Sequence, residues 1–418
     1  MSALKASSDR NSEHPKFKTN MGWPGHEAQW DYTLLPEGIA VEELARLSQP
    51  VTVGNTDAVT FQPATSPDDR SQDRFVIEDW HLSNGTWTFR AIFDGHAGHE
   101  CVDHVASKLP ALIKDSLATI TEEYTGEYSP QIIQDALSNA FCDLDAAIGQ
   151  AVLDLFPDPA ALENIHDSTL QATINDDGPN IAVLLRCMRG TTALVSIVDP
   201  GKANLWVASL GDSAAVFGTK DRLTSQWVAQ VLSADHNGEN PVEAERVRSE
   251  HPGELEAILD NRVLGGIAVT KAFGDYYYKL PKIYTYKVFL NSAQLFKLQA
   301  KVETVIGRSI TPPYLSAVPD VKHVDLASLN IDDAFLILCS DGLINLSDDR
   351  LFLKEKLAPY WVNTVASAQE LDSDNLALAL LWEGLGGDDM EKVSRHLTVE
   401  MESRWVDDTT ILIQQLGL

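Results

Sequence analysis

Thr86-Trp-Thr-Phe-Arg-Ala-Ile-Phe-Asp-Gly-His-Ala-Gly98 opens as a β-rich, alternating run and closes on turn residues, a pattern that predicts a strand over 86–93. The strand ends on Asp94-Gly95-His96, so a carboxylate and an imidazole stand at its tip. Behind them Val102, Val105, Ala106, Leu109 and Leu112 recur at helical spacing. Ile132, Ile133, Ala136, Leu137, Ala140, Phe141 and Leu144 do the same after Ser129-Pro130, a helix-start pair. Three apolar stretches follow, 192–198, 203–209 and 226–232, bounded by Gly, Pro and Asp turns and expected to be neighbouring strands. Asn240-Pro241 starts another helix, and 334–339 and 409–414 are the last strands. Helices come in blocks between blocks of strands. That order predicts an α+β fold, a four-layer α-β-β-α sandwich with two packed antiparallel sheets and helices outside, rather than regular βαβ alternation. Residues 1–50, polar and interrupted by Pro15, Pro24 and Pro36, are expected to be an extension ordered only in parts, ahead of a catalytic domain over 51–418. The Lys- and Tyr-rich segment 276–313 has no clean period and is expected to be an insertion over the site.

Of the 418 residues, 44% are hydrophobic and 22% charged, the make-up of a globular chain with a large core. A formal net charge of −29 argues against nucleic acid or an anionic membrane surface as partner. A phosphorylated substrate is also an anion, and bound cations would supply the local positive charge that admits it. Cys101, Cys142, Cys187 and Cys339 have no paired spacing, as expected of reduced thiols. No apolar run approaches the ~18–20 residues of a membrane span. The expected location is intracellular, either cytosol or mitochondrial matrix. Lys5, Arg10, Lys16 and Lys18 would suit a presequence, while Asp9 and Glu13 would not.

Four aspartates sit at the ends of strand-like segments: Asp73, Asp94, Asp341 and Asp407. An aspartate in a turn is ordinary, because Asp and Gly favour turns for local reasons. Four of them at strand ends are a different matter. Hard oxygen ligands brought together suit Mg²⁺ or Mn²⁺, and the number of carboxylates points to two ions.

The ordered motifs Gln72-Asp73-Arg74-Phe75, Phe93-Asp-Gly-His-Ala-Gly98, Gly190-Thr-Thr-Ala193, Ser209-Leu-Gly-Asp-Ser213, Leu232-Ser-Ala-Asp-His236, 262–275, Ser340-Asp-Gly-Leu343 and Asp407-Asp-Thr-Thr410 together resemble the metal-dependent protein serine/threonine phosphatases, called type 2C or PPM. The resemblance covers roughly residues 63–416. Within the family, 235–246, Glu250-His-Pro252 and 311–319 look most similar to the pyruvate dehydrogenase phosphatase catalytic subunits.

That resemblance implies hydrolysis of phosphoserine and phosphothreonine in proteins by a metal-activated water, without a phosphoenzyme. The substrate partner is then a phosphoprotein, and the likeness to the pyruvate dehydrogenase phosphatases points to one of a mitochondrial dehydrogenase complex. It makes Asp94 the bridge between two Mg²⁺ or Mn²⁺ ions, with the Gly95 carbonyl on one, Asp341 and Asp407 on the other, and Asp73 acting through water. Asp407 is preferred to Asp408 because the family threonine then falls on Thr410. His96 is the candidate acid for the leaving alkoxide, against the plainer role of fixing its loop by hydrogen bonds. Asp212 is a candidate for a weak third ion, and a hairpin turn is the equal alternative. Three departures stand out: Gln72 occupies a position that is Glu in many relatives, Asn345 one that is often acidic, and Asp68 that of a phosphate-binding arginine in some. Arg70 or Arg74 is the candidate replacement for the arginine. The alternative from another class is a catalytically impaired scaffold that keeps the fold, and a second is a hydrolase of small phosphoesters.

Overall fold

The computed structural model describes residues 14–23, 25, 27–64, 70–124, 128–176, 178–293, 299–347 and 354–417. Asp68 and the charged residues Lys5, Asp9, Arg10 and Glu13 lie outside them. Contacts divide the chain into two compact units. One comprises Met1–Ser71, Val216–Val231 and Ile331–Gly417, the other Gln72–Ala215 and Leu232–Asn330.

The second unit is built on a five-stranded antiparallel sheet in the order Asp320–Asp325, Asn204–Leu210, Ala193–Val198, Gly85–Phe93 and Arg74–Leu82. Along Gly85–Phe93 the period of two places Trp87, Phe89, Ala91 and Phe93 in one apolar cluster. Cys101, Val102, Val105 and Leu109 meet them from the helix Glu100–Glu123, and a second helix, Pro130–Leu155, packs on the strands Asn204–Leu210 and Asp320–Asp325. Ser129 caps that second helix by accepting from the Gln131 amide, as its Ser-Pro start foretells. Trp87 stacks on Trp206 at 5.9 Å and Trp80 on Phe89 at 4.6 Å. Burying each such ring contributes about 1.5–3 kcal/mol.

The first unit holds a six-stranded sheet in the order Trp227–Val231, Ala214–Asp221, Ile331–Cys339, Thr409–Gln415, Thr56–Phe61 and Val51–Val53, with Lys354–Glu370 and Leu376–Leu385 against it. The fold class is α+β as expected, each unit setting helices against its largest sheet. One neighbour differs. The stretch 226–232 was expected beside 203–209, but Trp227–Val231 pairs with Ala214–Asp221. The turn at 221–226 closes through Asp221 N–H to Gln226 O at 2.9 Å, so the chain folds straight back onto a strand that its short Ala-Ala-Val-Phe-Gly run had concealed.

The described part of the N-terminal segment is packed despite its polar composition. Its helix Glu37–Ser48 buries Ala40, Leu44 and Ser48. Leu35 N–H donates to Ser394 Oγ at 3.0 Å and Thr33 N–H to Thr398 Oγ1 at 2.9 Å. One stripe of small and apolar residues suffices for docking, and it leaves the average composition polar.

The described part of 276–313 is fastened to the second unit's helices. Tyr284 Oη donates to Phe156 O at 2.9 Å and Lys287 Nζ reaches Asp167 at 2.8 Å. At its root, Lys279 Nζ lies 2.9 and 2.8 Å from the two Asp145 carboxylate oxygens and 2.8 Å from Ala272 O. Both side chains of this pair are under a tenth exposed. Lys279→Met would leave the Asp145 charge buried beside apolar surface, and loss of one partner of a buried pair costs about 3–5 kcal/mol. Urea unfolding of Lys279→Met is expected to show a loss of that size; a change under about 1 kcal/mol would mean that the pair is not a tie of this kind.

Candidate functional site

In the second unit the strand Gly85–Phe93 delivers Asp94, whose main-chain oxygen accepts from Thr192 N–H and from Thr191 Oγ1, both at 2.9 Å. The chain then enters the two-residue strand Gly95–His96, which pairs with Gly190–Thr191, itself paired with Phe273–Gly274. Gly95 is buried, and a Cβ there would stand 2.7 Å from Gln72 O and 2.8 Å from the Val102 side chain. Only glycine fits between these neighbours.

His96 Nε2 lies 2.6 Å from Asp275 Oδ2. A Cβ on Gly190 would meet both of these atoms at 2.1 Å, so the glycine of Gly190-Thr-Thr-Ala193 is what lets them touch. Asp275 is fully buried. Burial works against a charged His96, but the Asp275 carboxylate, with Asp212 further off, outweighs it and holds the His96 pKa above the ordinary histidine value. Asp275 closes the motif 262–275, and its pairing with His96 is a contact that the motif does not reveal.

Asp212 sits in the turn between Asn204–Leu210 and Ala214–Asp221 and is buried. Asn237 Nδ2 donates to its Oδ2 at 2.8 Å, while Gly211 N–H donates to His236 Nδ1 at 3.1 Å. Asp94 and Asp212 each offer a carboxylate oxygen within 4.8 Å of the other. Two carboxylates this close repel unless a cation or a proton lies between them. Asp73, also buried, precedes the strand Arg74–Leu82. Arg74 donates from Nη1 to Asp73 O at 2.7 Å and from Nε to Asp103 Oδ1 at 2.8 Å, so its guanidinium is fixed beside Asp73.

Asp341, Asp407 and Arg70 belong to the first unit. Asp341 opens the short helix Asp341–Asn345 directly after the strand Ile331–Cys339, and Asp407 stands just before Thr409–Gln415, the neighbouring strand. Asn345 Nδ2 reaches Asp341 Oδ2 at 3.4 Å and Asp407 Oδ2 at 3.3 Å. A residue noted as a departure thus spans two candidate ligands. Asp408, by contrast, is buried and bonded to Gln62 Nε2 at 2.9 Å and Arg404 Nη1 at 3.0 Å. Arg404 also donates to the main-chain oxygen of Arg70 at 2.8 Å, and Arg70 itself is exposed.

Each unit therefore offers hard oxygen donors and no sulfur or nitrogen ligand among them, a set that fits Mg²⁺ or Mn²⁺ better than Zn²⁺.

Beneath the Asp212 turn, His236 Nε2 lies 2.5 Å from Asp320 Oδ2 and Lys271 Nζ 2.7 Å from the same oxygen. The His236 hydrogen bond, with Lys271 adding to it against partial burial, holds the Asp320 pKa well below the usual carboxylate range. A depressed carboxylate contributes stability above its unfolded pKa of about 3.9 and loses it as pH falls through the folded value. Asp320→Asn is expected to cost about 1–2 kcal/mol, nearly constant between pH ~8 and ~5, with the gap to the parent closing below pH ~4. Thermal melts across pH check this, and a gap that widens in acid would contradict it.

Residues 59–354 match the family described as protein phosphatase 2C. Over 405 residues the chain is 27% identical to a protein phosphatase 2C homolog of Schizosaccharomyces pombe, covering 89% of this chain and 83% of that one. It is 28% identical over 315 residues to the mitochondrial pyruvate dehydrogenase (acetyl-transferring) phosphatase 1 of Saccharomyces cerevisiae, covering 74% of this chain and 49% of that protein. The Bos taurus protein of that name is 31% identical over 249 residues, 58% of this chain and 41% of its own. The matched stretch is thus about half or less of these two phosphatases. Among solved structures, a serine-threonine phosphatase 2C from Toxoplasma gondii superposes with a TM-score of 0.53 at 16% identity, over 88% of this chain and 96% of that one. That likeness bears on the fold.

Proposed function

The chain belongs to the protein phosphatase 2C family, and from that premise we propose that it hydrolyses phosphoserine and phosphothreonine in proteins at a centre of two divalent cations, Mg²⁺ or Mn²⁺. The observation that carries the reading is the oxygen donor set: the Asp94 and Asp212 carboxylates within 4.8 Å of each other, and Asp341 and Asp407 sharing Asn345. Asp94, the Gly95 carbonyl, Asp341 and Asp407 would hold the ions, Asp73 would act through water, and Asp212 would serve a weaker third position. Asp407 is favoured over Asp408 because the latter is already bonded to Gln62 and Arg404. When bound, such cations neutralise phosphoryl charge and lower the pKa of water.

The chain's own residues then have distinct tasks. Gly95, where any side chain would collide with Gln72 O and Val102, would present its main-chain carbonyl to a metal. Asp275 engages His96 Nε2, which leaves Nδ1 as the atom that delivers a proton to the departing seryl or threonyl oxygen. Against the burial that opposes a charged imidazole, the Asp275 carboxylate holds the His96 pKa above the ordinary histidine value, the direction a proton donor needs. Of the two arginine candidates for a substrate phosphate, Arg74 is the one held beside Asp73, although its Nε and Nη1 already donate to Asp103 and to the Asp73 main chain. Retained carboxylates weigh against the scaffold alternative, because converging negative charges serve no purpose without a cation. The names of the yeast and bovine relatives make a phosphorylated dehydrogenase subunit the first protein substrate to try.

Purified protein is expected to release phosphate from a phosphothreonine peptide with Mn²⁺ or Mg²⁺, to stop on chelation, and to lose turnover in Asp94→Asn. Folded parent protein that stays silent with both metals would shift the reading to a scaffold. For His96→Asn, kcat on that peptide should fall by about 10²-fold or more, the usual worth of a general acid. An aryl phosphate, whose leaving group needs no proton, should lose far less. Equal losses on both substrates would reduce His96 to a loop-fixing role.

A further inference from the structure

The turn that follows His96 is held in an unfavourable shape. Ala97 has φ 63° and Gly98 φ 151°, in the left-handed half of backbone space where a non-glycine residue is disfavoured. Such a conformation persists only where its surroundings over-determine it. Two side chains from elsewhere in the same unit do so. Gln72 Oε1 accepts the Gly98 N–H at 2.7 Å. On the other flank lies Arg189, only 7% exposed, with Nε 3.7 Å from Glu100 Oε2 at the start of the helix Glu100–Glu123.

Arg189 Nε and Nη1 and Glu100 Oε2 are all buried without a hydrogen-bond acceptor or donor among the described residues. The pair therefore acts as opposite charges in a low-dielectric place, not as a hydrogen-bonded fork. A Cβ on Gly98 would stand 2.6 Å from Arg189 Nε and 2.8 Å from Glu100 Oε2, so the guanidinium and the carboxylate close directly over the turn. The main chain of Arg189 completes the arrangement. Its carbonyl accepts from Asp275 N–H at 3.0 Å, and Asp275 is the residue that engages His96. One arginine thus touches the turn after His96 with its side chain and the seat of the His96 partner with its backbone.

We propose that Gln72 and Arg189 are positioning residues that clamp the 94–100 loop, setting the Gly95 carbonyl and the His96 ring where metal and substrate require them. The inference rests on the phosphatase reading above and deepens it. It also gives the Glu-to-Gln departure at Gln72 a task of its own, since an amide oxygen can hold the Gly98 N–H without adding charge.

The test uses the full chain and four variants, Gln72→Ala, Gln72→Glu, Arg189→Met and Arg189→Lys. Mn²⁺ binding is followed by calorimetry without substrate, kcat and KM on the phosphothreonine peptide, and folding by thermal melting. Groups that orient a metal's ligands typically matter 10–100-fold, so Gln72→Ala and Arg189→Met should weaken Mn²⁺ binding by about that factor and lower kcat with KM little changed. Gln72→Glu, which keeps an acceptor for Gly98, should restore Mn²⁺ binding, and Arg189→Lys, which keeps the charge, should restore part of it. If Gln72→Ala binds Mn²⁺ and turns over within about 2-fold of the parent, the clamp is refuted. That variant also decides the matter should Arg189→Met fail to fold. Asp94→Asn is the control that separates the two readings. If it too binds Mn²⁺ like the parent, the metal centre itself has been misassigned; if it alone loses binding, only the clamp has failed.

Discussion

The main-chain oxygen of Asp94 is held twice, by the Thr192 amide and the Thr191 hydroxyl, and much of the second unit is arranged around that fixture. With its backbone committed, Asp94 turns the chain out of Gly85–Phe93 into the small ribbon where Gly95–His96, Gly190–Thr191 and Phe273–Gly274 pair side by side. Across that ribbon His96 and Asp275 meet, through a gap that exists only because residue 190 is glycine. The helix Glu100–Glu123 begins immediately afterwards, and Cys101, Val102 and Val105 lock it onto the aromatic face of the sheet. Site and core are therefore one construction: the rings that stabilise the unit are also what keep the strand tip from moving.

Charge imposes the second constraint. A chain with net charge −29 must still attract a phosphoryl group. Several cationic side chains around the described loops are already matched, Arg74 with Asp103, Lys271 with Asp320, Lys279 with Asp145 and Arg189 with Glu100. Each pair neutralises itself locally and projects little field. A divalent ion bound among the carboxylates would be the economical source of positive potential, and the same ion would relieve the repulsion between Asp94 and Asp212. Metal binding and tolerance of so many acids are, in this reading, one property.

Much of this was legible in the sequence. The alternation of 86–93, the Ser129-Pro130 and Asn240-Pro241 starts and the two late strands all appear where their periods place them, because each is a local pattern reinforced by burial. The strand Ala214–Asp221 was not legible, since a short small-residue run carries no period, and its pairing takes Trp227–Val231 into another sheet. The packed N-terminal helix was hidden by average polarity. At the site, carboxylate positions could be listed from motifs, but not that Asn345 spans Asp341 and Asp407, that Asp408 is spoken for by Gln62 and Arg404, or that Gln72 reaches Gly98. Those are contacts between residues far apart in the chain, and spacing contains no record of them.

In the proposed centre, carboxylates spread over the chain would hold divalent cations, with Asp94 as the shared ligand. Calorimetric titration of Mn²⁺ into the full chain, beside Asp94→Asn, Asp407→Asn and Asp408→Asn, tests it most directly. The parent is expected to bind, Asp94→Asn and Asp407→Asn to lose binding, and a folded Asp408→Asn to retain it. Undiminished binding in a folded Asp94→Asn would contradict the proposed centre.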